Sequence, residues 1–290
     1  MTIDEKLAAI LAAVQIDPGK RGLARDPVDN LFTATEGDFR KACRLLAESK
    51  RKLIAISTGF FIPDGLPPAF ETDGPLGAFF LRDTLDRFGY SADVVVHPSL
   101  FEDRIGCEAM DRPARTQTMT RAGLNGVLNI AIELSGPSAD GRHWTMRGTD
   151  ITDAMAPFMA ALAGETFAIA IGDGGNEIGM GRIPAETIAK NIPNGERVHC
   201  TVPADHLVVA GVSNWGAYAL AAGVAVVVGA ARADAKHFDA ARERKRLIEL
   251  VESGPLVDGV TGKQTATVDG LSWDEYAEPL IRIREILEQA

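Results

Sequence analysis

The chain has 290 residues, enough for one large α/β domain or two smaller ones, and its 46% hydrophobic residues can fill a substantial core. The formal net charge of −10 argues against nucleic acid or an anionic membrane surface as a partner, and favours cations or small polar metabolites. The three cysteines lie far apart without a CxxC pair, and the acidic N-terminus lacks the marks of an export or transit signal. We therefore expect a cytoplasmic protein without a disulfide framework.

Short β-branched runs alternate with longer amphipathic stretches along the chain. The predicted helices are 3–14, 36–50, 75–88, 151–163, 184–191, 213–230, 233–252 and 272–289. The predicted strands are 52–57, 93–97, 127–134, 166–171, 197–202 and 206–210. This alternation predicts an α/β fold with a mostly parallel sheet and helices on both of its faces.

Residues 207–231 carry no charge, and their length would suffice to span a bilayer. Glycine, serine and asparagine interrupt them at 211–216, which favours a buried strand followed by a helix of small residues over a membrane span. We expect that helix either in the core or at an interface in a homo-oligomer.

The glycine-rich stretch IGDGGNEIGMGRI at 171–183 directly follows a predicted buried strand. It contains neither GxGxxG nor GxxxxGK and no lysine, so it does not fit the templates for phosphate-binding loops, and the calcium-loop spacing fails as well. Asp173, Asn176 and Glu177 remain as oxygen-bearing side chains on a tight loop, beside the amides of Gly174 and Gly175. This set suits Mg²⁺, Mn²⁺ or a substrate ammonium, and it equally suits a turn with solvated acids.

Other acid-bearing loops favour a binding site for a cation or an ammonium group over a simple turn. Glu71 and Asp73 directly precede one predicted helix, and Asp150 precedes another. Further along the chain, Asp258 and Asp269 are each followed by glycine, as is typical of turns. Several such loops at the carboxyl edge of a parallel sheet predict one shared acidic pocket, whose crowded carboxylates need protons or a metal to neutralise them.

The candidate nucleophiles are weaker. Ser57 and Thr58 end a predicted strand, but no GxSxG motif surrounds them, so we interpret their hydroxyls as substrate hydrogen-bond donors. The five histidines show neither HxxxH nor HExxH spacing, which argues against a zinc site. Asn214 lies in the SNWG turn before a helix, where it would contact a ligand, although Ser213 in the same turn equally suits a helix cap.

Taken together, the runs IGDGGNEIGMG, GVSNWG, ETDGPLGA, MRGTDIT and VDGVTGK resemble the C-terminal domain of the D-glutamate cyclase family over roughly residues 50–275. The resemblance implies a Rossmann-like three-layer α/β fold and a lyase that cyclises D-glutamate to 5-oxo-D-proline with loss of water. We therefore expect a stand-alone cyclase-like domain at 51–290, with residues 1–50 as a helical segment packed on it.

One position departs from the pattern of that family, in which an acid and an arginine precede the ADG turn. In this chain Glu133 is followed by Leu134, Ser135 and Gly136. We expect Arg142 or Arg147 to take over the contact of that arginine with the substrate carboxylate.

The implied reaction requires the pocket to neutralise a γ-carboxylate and to deprotonate an α-amine. We expect Mg²⁺ or Mn²⁺ and no nucleotide cofactor, with metal ligands drawn from Asp73, Asp150, Asp173 and Glu177. The base would be Glu71 or Asp258, so the expected catalytic residues are Asp173, Glu177, Glu71 and Asp258. The α-carboxylate would be oriented by Lys263 or Arg147. The other expected substrate contacts are Ser57, Thr58, Gly174, Gly175, Asn176 and Asn214.

Two other functions are consistent with the same residues. Acidic loops at the carboxyl edge of a parallel sheet also suit a Mg²⁺- or Mn²⁺-dependent phosphohydrolase, in which metals activate water against a phosphate ester. A non-catalytic module that binds a metabolite or a metal is the third alternative, and the number of acidic loops makes it the weakest of the three.

Overall fold

The computed structural model describes residues 1–49, 53–97, 127–254 and 256–289. The strands are β1 (Leu53–Gly59), β2 (Phe61–Ile62), β3 (Ala69–Phe70), β4 (Ser91–Val95), β5 (Leu128–Leu134), β6 (Ile169–Gly172) and β7 (His206–Val209). The helices are α1 (Ile3–Val14), α2 (Leu31–Ala34), α3 (Asp38–Glu48), α4 (Pro75–Arg87), α5 (Thr152–Ala161), α6 (Ala185–Asn191), α7 (Gly195–Val198), α8 (Ser213–Val227), α9 (Ala231–Asp234), α10 (Ala240–Ser253) and α11 (Trp273–Glu288).

Five strands form one parallel sheet in the order β4-β1-β5-β6-β7, and helices flank it, which confirms the predicted α/β fold. The short strands β2 and β3 pair separately as an antiparallel ribbon. Along the chain, β1 is the first strand of the large sheet, β4 the second and β5 the third. The direction of winding therefore reverses between β1 and β5, and ligands of open α/β sheets bind at the carboxyl ends of strands at such a point.

Helix α8 is the central helix on one side of the sheet, where it contacts β5, β6 and β7 as well as α1, α3, α4 and α11. Every residue from Ser213 to Val226 is buried, which confirms the buried strand and helix predicted for 207–231. Small residues allow this close packing, since a Cβ on Gly223 would overlap with the sulfur of Cys43. Among the described residues, no helix is long and apolar enough to cross a membrane.

The first 49 residues share the hydrophobic core of the sheet and its helices, to which α1 contributes Leu7, Ile10 and Val14. The chain then runs past the carboxyl end of β7, where the amide of Gly211 donates to the carbonyl of Val14 at 2.9 Å. A Cβ on Gly211 would overlap with the carbonyl oxygen of Ile16, so only glycine permits this approach. The segment after α1 is thereby held at the edge of the sheet where ligands are expected.

The strand predicted at 197–202 is wrong, because this segment begins in α7 and then pairs with the glycine-rich loop. The amide of Cys200 donates to the carbonyl of Gly175 at 2.9 Å, and the amide of Gly181 donates to the carbonyl of Val202 at 3.2 Å. Its β-branched residues therefore brace the loop at 172–181 and do not join the sheet. The helix predicted at 233–252 is likewise interrupted, since Asp239 caps a separate helix that begins at Ala240.

Candidate active site

A cavity of about 250 Å³ opens at the carboxyl ends of β1, β5 and β6, at the point where the winding of the sheet reverses. Its lining contains seven acidic side chains, of which Asp64 is exposed. The other six are buried, and they are Glu71, Asp73, Glu133, Asp173, Glu177 and Asp269. Two arginines also line it, Arg21 and Arg147. The shared acidic pocket predicted from the loops is therefore present in the structure.

The glycine-rich loop folds around the side chain of Glu177. One oxygen of Glu177 accepts the amide hydrogen of Asp173 at 3.1 Å, and the other accepts that of Gly175 at 2.7 Å. Gly175 has a φ of +121°, a conformation that side chains other than glycine rarely adopt. The buried Glu177 thus fixes the turn that presents Asp173 directly after β6, while its carboxylate also lines the cavity.

Asp73 lies where the amino ends of α4 and α8 meet. Its carboxylate accepts the amide hydrogens of Ser213 and Asn214, each at 2.8 Å. The side-chain oxygen of Asn214 accepts in turn the amides of Gly74 at 2.9 Å and Gly77 at 2.7 Å. Amides at helix amino ends favour a negative charge, so both helices orient and stabilise the Asp73 carboxylate.

Glu133 is a site residue that the sequence prediction missed. It lies near the end of β5 with a φ of +43°, beside a register shift in the pairing of β1 with β5 at Thr58 and Gly59. Its carboxylate accepts a hydrogen bond from the hydroxyl of Ser213 at 2.5 Å. The unusual backbone conformation and this hydrogen bond direct a buried acid into the cavity.

Arg21 is the second missed residue, and it comes from the segment between α1 and α2. Its guanidinium forms ion pairs with Asp173 at 2.6 Å and with Asp269 at 2.8 Å. It also donates to the carbonyl oxygen of Gly211 at 3.2 Å. A single guanidinium therefore bridges two acids of the cavity that lie on different loops.

Burial and the crowding of carboxylates raise the pKa of four acids in the cavity. Burial raises the pKa of Glu71 and Glu133 well above the usual value, and nearby carboxylates raise both further. Burial and the charge of Asp269 raise the pKa of Asp73 to about 7. Burial also raises the pKa of Asp173, although Arg21 lowers it in part. The cavity thus combines acids that retain a proton near neutral pH with acids paired to a fixed cation.

Two sets of carboxylates are close enough to hold a cation. In the first set, one oxygen each from Asp73, Asp173 and Asp269 lie within 4.8 Å of one another. The second set has the same spacing and consists of Glu133, Asp173 and Glu177. Oxygen-only sets of this kind suit Mg²⁺, Mn²⁺ or an ammonium group.

The cavity lining includes two of the predicted substrate contacts, Arg147 at its exposed mouth and the buried Asn176. Arg147 is exposed there and donates to the carbonyl of Val260 at 2.8 Å, which links the loops on either side. Asn176 also lines the cavity, and its amide nitrogen donates to the carbonyl of Trp144 at 2.7 Å.

Asp258 and Asn214, both predicted to act directly, do not line the cavity and instead organise the backbone around it. The buried carboxylate of Asp258 accepts amide hydrogens from Val260 at 3.0 Å, Thr261 at 2.7 Å and Gly270 at 2.7 Å. These bonds shape the two loops that carry Gly259 and Asp269 to the cavity.

The other predicted residues outside the cavity lining are Ser57, Thr58, Gly174, Gly175, Asp150 and Lys263. Ser57 and Thr58 are buried within β1, and Lys263 is exposed on its turn. Asp150 lines a separate surface pocket and pairs with Arg142 at 2.6 Å, so neither of these residues reaches the acidic cavity.

Comparison with known proteins identifies the family. The profile of the family described as "D-glutamate cyclase-like, C-terminal" matches residues 10–284. The chain belongs to this D-glutamate cyclase-like family. It is also similar to the human protein named "D-glutamate cyclase, mitochondrial", with 25% identity over 334 aligned positions that cover 99% of this chain. The chain spans about half the length of that curated relative, of which 52% is covered.

The match to the D-glutamate cyclase-like family begins within α1, well before the region in which the sequence motifs lie. The matched region therefore includes Arg21 together with all seven acids of the cavity. Both residues that the motifs missed, Arg21 and Glu133, lie inside it.

Proposed function

We propose that the chain is a lyase that cyclises D-glutamate to 5-oxo-D-proline and releases water. The observation that carries this proposal is the crowding of six buried acids in one cavity, several of which keep a proton near neutral pH. Membership in the D-glutamate cyclase-like family supports it. The similar human protein bears the name of this activity.

The cavity has the charge that an amino acid's ammonium group requires. Seven acids and two arginines line it, so acids outnumber cations even when Glu71 and Glu133 retain their protons. Since the pKa of Asp73 is raised to about 7, its ionised form can take a proton from the ammonium at neutral pH. We propose Asp73 as the base that generates the nucleophilic amine, since Glu71 retains its proton.

The second requirement is an electrophilic γ-carboxyl group. A protonated Glu133 has the proton needed to neutralise a substrate carboxylate and to help its oxygen leave as water. The overall reaction conserves protons, because the ammonium loses two hydrogens and the γ-carboxylate loses one oxygen, which leave together as one water. The new bond joins the α-nitrogen to the γ-carbon.

The α-carboxylate of the substrate needs a cation that lies apart from the buried acids of the cavity. Arg147 is exposed at the mouth, and its guanidinium can present a fork of donors to a carboxylate. Arg142 pairs with Asp150 outside the cavity, so we propose Arg147 as the residue that orients the α-carboxylate.

A divalent cation is a further part of the proposal. Glu133, Asp173 and Glu177 offer three oxygens within 4.8 Å of one another, a donor set that suits Mg²⁺ or Mn²⁺. Such a cation would act as a Lewis acid on the γ-carboxylate, in place of the proton on Glu133. Asp150 lies outside this set.

Neither alternative function gains support from the cavity or from the comparisons. A phosphate ester would face a lining in which acids outnumber arginines, which disfavours a dianion unless bound metals reverse the charge. A module that only binds a metabolite would have no need for protonated acids beside its ligand.

The proposal is tested by incubating the purified protein with D-glutamate and separating the products by chiral chromatography. We expect 5-oxo-D-proline from D-glutamate, less product from L-glutamate, and no hydrolysis of p-nitrophenyl phosphate. Parallel reactions with EDTA and with added Mn²⁺ test the cation, because only a metal-dependent reaction slows with the chelator. Turnover of the phosphate ester without turnover of glutamate would favour the phosphohydrolase.

A further inference from the structure

Arg21 is held in the cavity by a turn that is built for it. The carboxylate of Asp17 accepts the amides of Arg21 at 2.9 Å, Gly22 at 2.8 Å and Leu23 at 3.2 Å. Gly22 has a φ of +99°, and a Cβ there would overlap with the carbonyl oxygen of Asn191. These contacts fix the backbone on either side of Arg21 without any contribution from the ion pairs of its side chain.

The guanidinium lies among one of the two sets of carboxylates that could hold a cation. That set consists of Asp73, Asp173 and Asp269, and Arg21 pairs with two of its three members. The other set contains Asp173 as well, but Arg21 forms no ion pair with Glu133 or Glu177 among the described residues. An arginine side chain stays protonated in proteins, so this positive charge is permanent.

We propose that Arg21 is a positioning residue that stands in for a metal ion among Asp73, Asp173 and Asp269, and so directs any incoming cation to Glu133, Asp173 and Glu177. The geometry carries this inference, because the two ion pairs occupy oxygens that a metal in the first set would need. The planar fork of arginine suits a bridge between two carboxylates, which a lysine would contact as a single point charge.

With Arg21 in the first set of carboxylates, the second set is the cation position that stays open. A cation at the Arg21 position would lie on the Asp269 side of Asp173, while one at the second set lies on the Glu133 side. As a role in catalysis this inference rests on the proposed function, since it assigns the substrate ammonium or a metal to the Glu133 side. The test below uses Mn²⁺ alone and is independent of turnover.

Mn²⁺ binding to the whole chain is measured by electron paramagnetic resonance for the wild type and for Arg21→Met. Removing the guanidinium leaves three carboxylates without their cation, so we expect an additional Mn²⁺ per chain, bound at least about tenfold tighter than any Mn²⁺ on the wild type. Arg142→Met is the matched control, because it removes the same charge from an arginine paired with Asp150 outside the cavity. We expect no additional Mn²⁺ on the control.

Double variants locate the new site. Adding Asp269→Asn to Arg21→Met removes an acid that belongs only to the first set, and we expect the additional Mn²⁺ to be lost. Adding Glu133→Gln removes an acid of the second set only, and we expect the additional Mn²⁺ to remain.

Thermal melting gives a second measurement of Mn²⁺ binding in case Arg21→Met folds poorly. If Arg21→Met is unfolded or destabilised at neutral pH, we expect Mn²⁺ to restore its melting temperature by a larger shift than in the wild type. Arg21→Met that binds Mn²⁺ like the wild type, or whose lost stability Mn²⁺ does not restore, overturns the role of Arg21. Absence of D-glutamate turnover in a wild type that behaves as expected towards Mn²⁺ would overturn the proposed function alone.

Discussion

The hydroxyl of Ser213, the first residue of α8, donates a hydrogen bond to the carboxylate of Glu133 at 2.5 Å. The same residue donates its amide hydrogen to Asp73 at 2.8 Å. One helix terminus therefore holds two acids of the cavity, one through a side chain and one through the backbone. This arrangement explains why the SNWG turn lies beside the site although Ser213 and Asn214 do not line the cavity.

The Ser213 hydrogen bond gives the first prediction. Ser213→Ala removes the donor to Glu133 but keeps the amide that binds Asp73, so we expect a loss of about 1–2 kcal/mol in stability and a fall of about tenfold in kcat. Urea denaturation and D-glutamate turnover measure the two effects. Ser272→Ala is the matched control, since it removes the capping hydroxyl of α11 and should cost about 1 kcal/mol in stability with unchanged kcat. Equal effects of both variants on kcat would contradict a special role for Ser213.

A substitution at Gly259 tests whether activity depends on the position of the Glu71 carboxylate. A Cβ at this position would overlap with the carboxylate oxygen Oε2 of Glu71, and Gly259 does not have the left-handed conformation that strains other residues. Gly259→Ala should therefore displace the Glu71 carboxylate while the fold survives, and we expect kcat to fall about tenfold. Gly141→Ala is the control, because no atom lies within 4 Å of its added Cβ. Its φ of +79° costs about 1 kcal/mol of stability, and turnover should not change.

The raised pKa values predict that stability falls as the pH rises above neutrality. The folded chain keeps protons on Glu71 and Glu133 that the unfolded chain has released, so raising the pH favours unfolding until these acids ionise in the fold. Buried histidines act in the opposite sense at lower pH, since burial lowers the pKa of His237 to about 4. The effect of the acids is therefore measured from about pH 6.5 upwards.

Urea denaturation at intervals from pH 6.5 to about pH 8 measures this slope, which one group can change by at most about 1.4 kcal/mol per pH unit. Glu71→Gln removes one of the proton-retaining acids, and we expect a shallower fall in stability than in the wild type. A wild type whose stability rises over this range, or a variant with an identical slope, would be inconsistent with a protonated Glu71.

A substitution at Asp258 tests whether this residue forms a turn or takes part in catalysis. Asp258→Asn replaces one of the oxygens that accept the amides of Val260, Thr261 and Gly270, so we expect a loss of about 2 kcal/mol in stability. Because Asp258 does not line the cavity, kcat at a temperature where the variant is folded should stay within about threefold of the wild type. A loss of activity as large as that of Asp173→Asn, without a loss of stability, would restore the catalytic role predicted from the sequence.

The sequence predicts the acids that directly follow strands or precede helices. Asp173 and Glu177 follow a short apolar strand, and Asp73 precedes a helix with proline at its first position, so local patterns are enough to assign them to one edge of the sheet. The capping box at the start of α11 is a local pattern of the same kind, since Ser272 and Glu275 lie three positions apart in the sequence.

The sequence does not identify Glu133 and Arg21 as site residues, and the physical reason differs between the two. Glu133 belongs to a mostly apolar strand, where the period-two pattern cannot reveal a φ of +43° near the strand end. Arg21 precedes its partner Asp173 by 152 positions, and no local pattern connects them. Asp258 shows the reverse case, because an Asp-Gly turn looks the same in sequence whether its carboxylate faces a cavity or its own backbone.

The most direct test of the account is the rate of 5-oxo-D-proline formation from D-glutamate by the wild type and by Asp173→Asn, both checked for folding by circular dichroism. Asp173 lines the cavity, belongs to both sets of carboxylates and binds Arg21, so its substitution disturbs both the proposed cation position and the ion pair of Arg21. We predict product from the wild type well above the spontaneous reaction, and at least about 100-fold less from the folded variant. A wild type that forms no product, or a folded variant that matches it, would contradict the assignment of this cavity as the site of a D-glutamate cyclase activity.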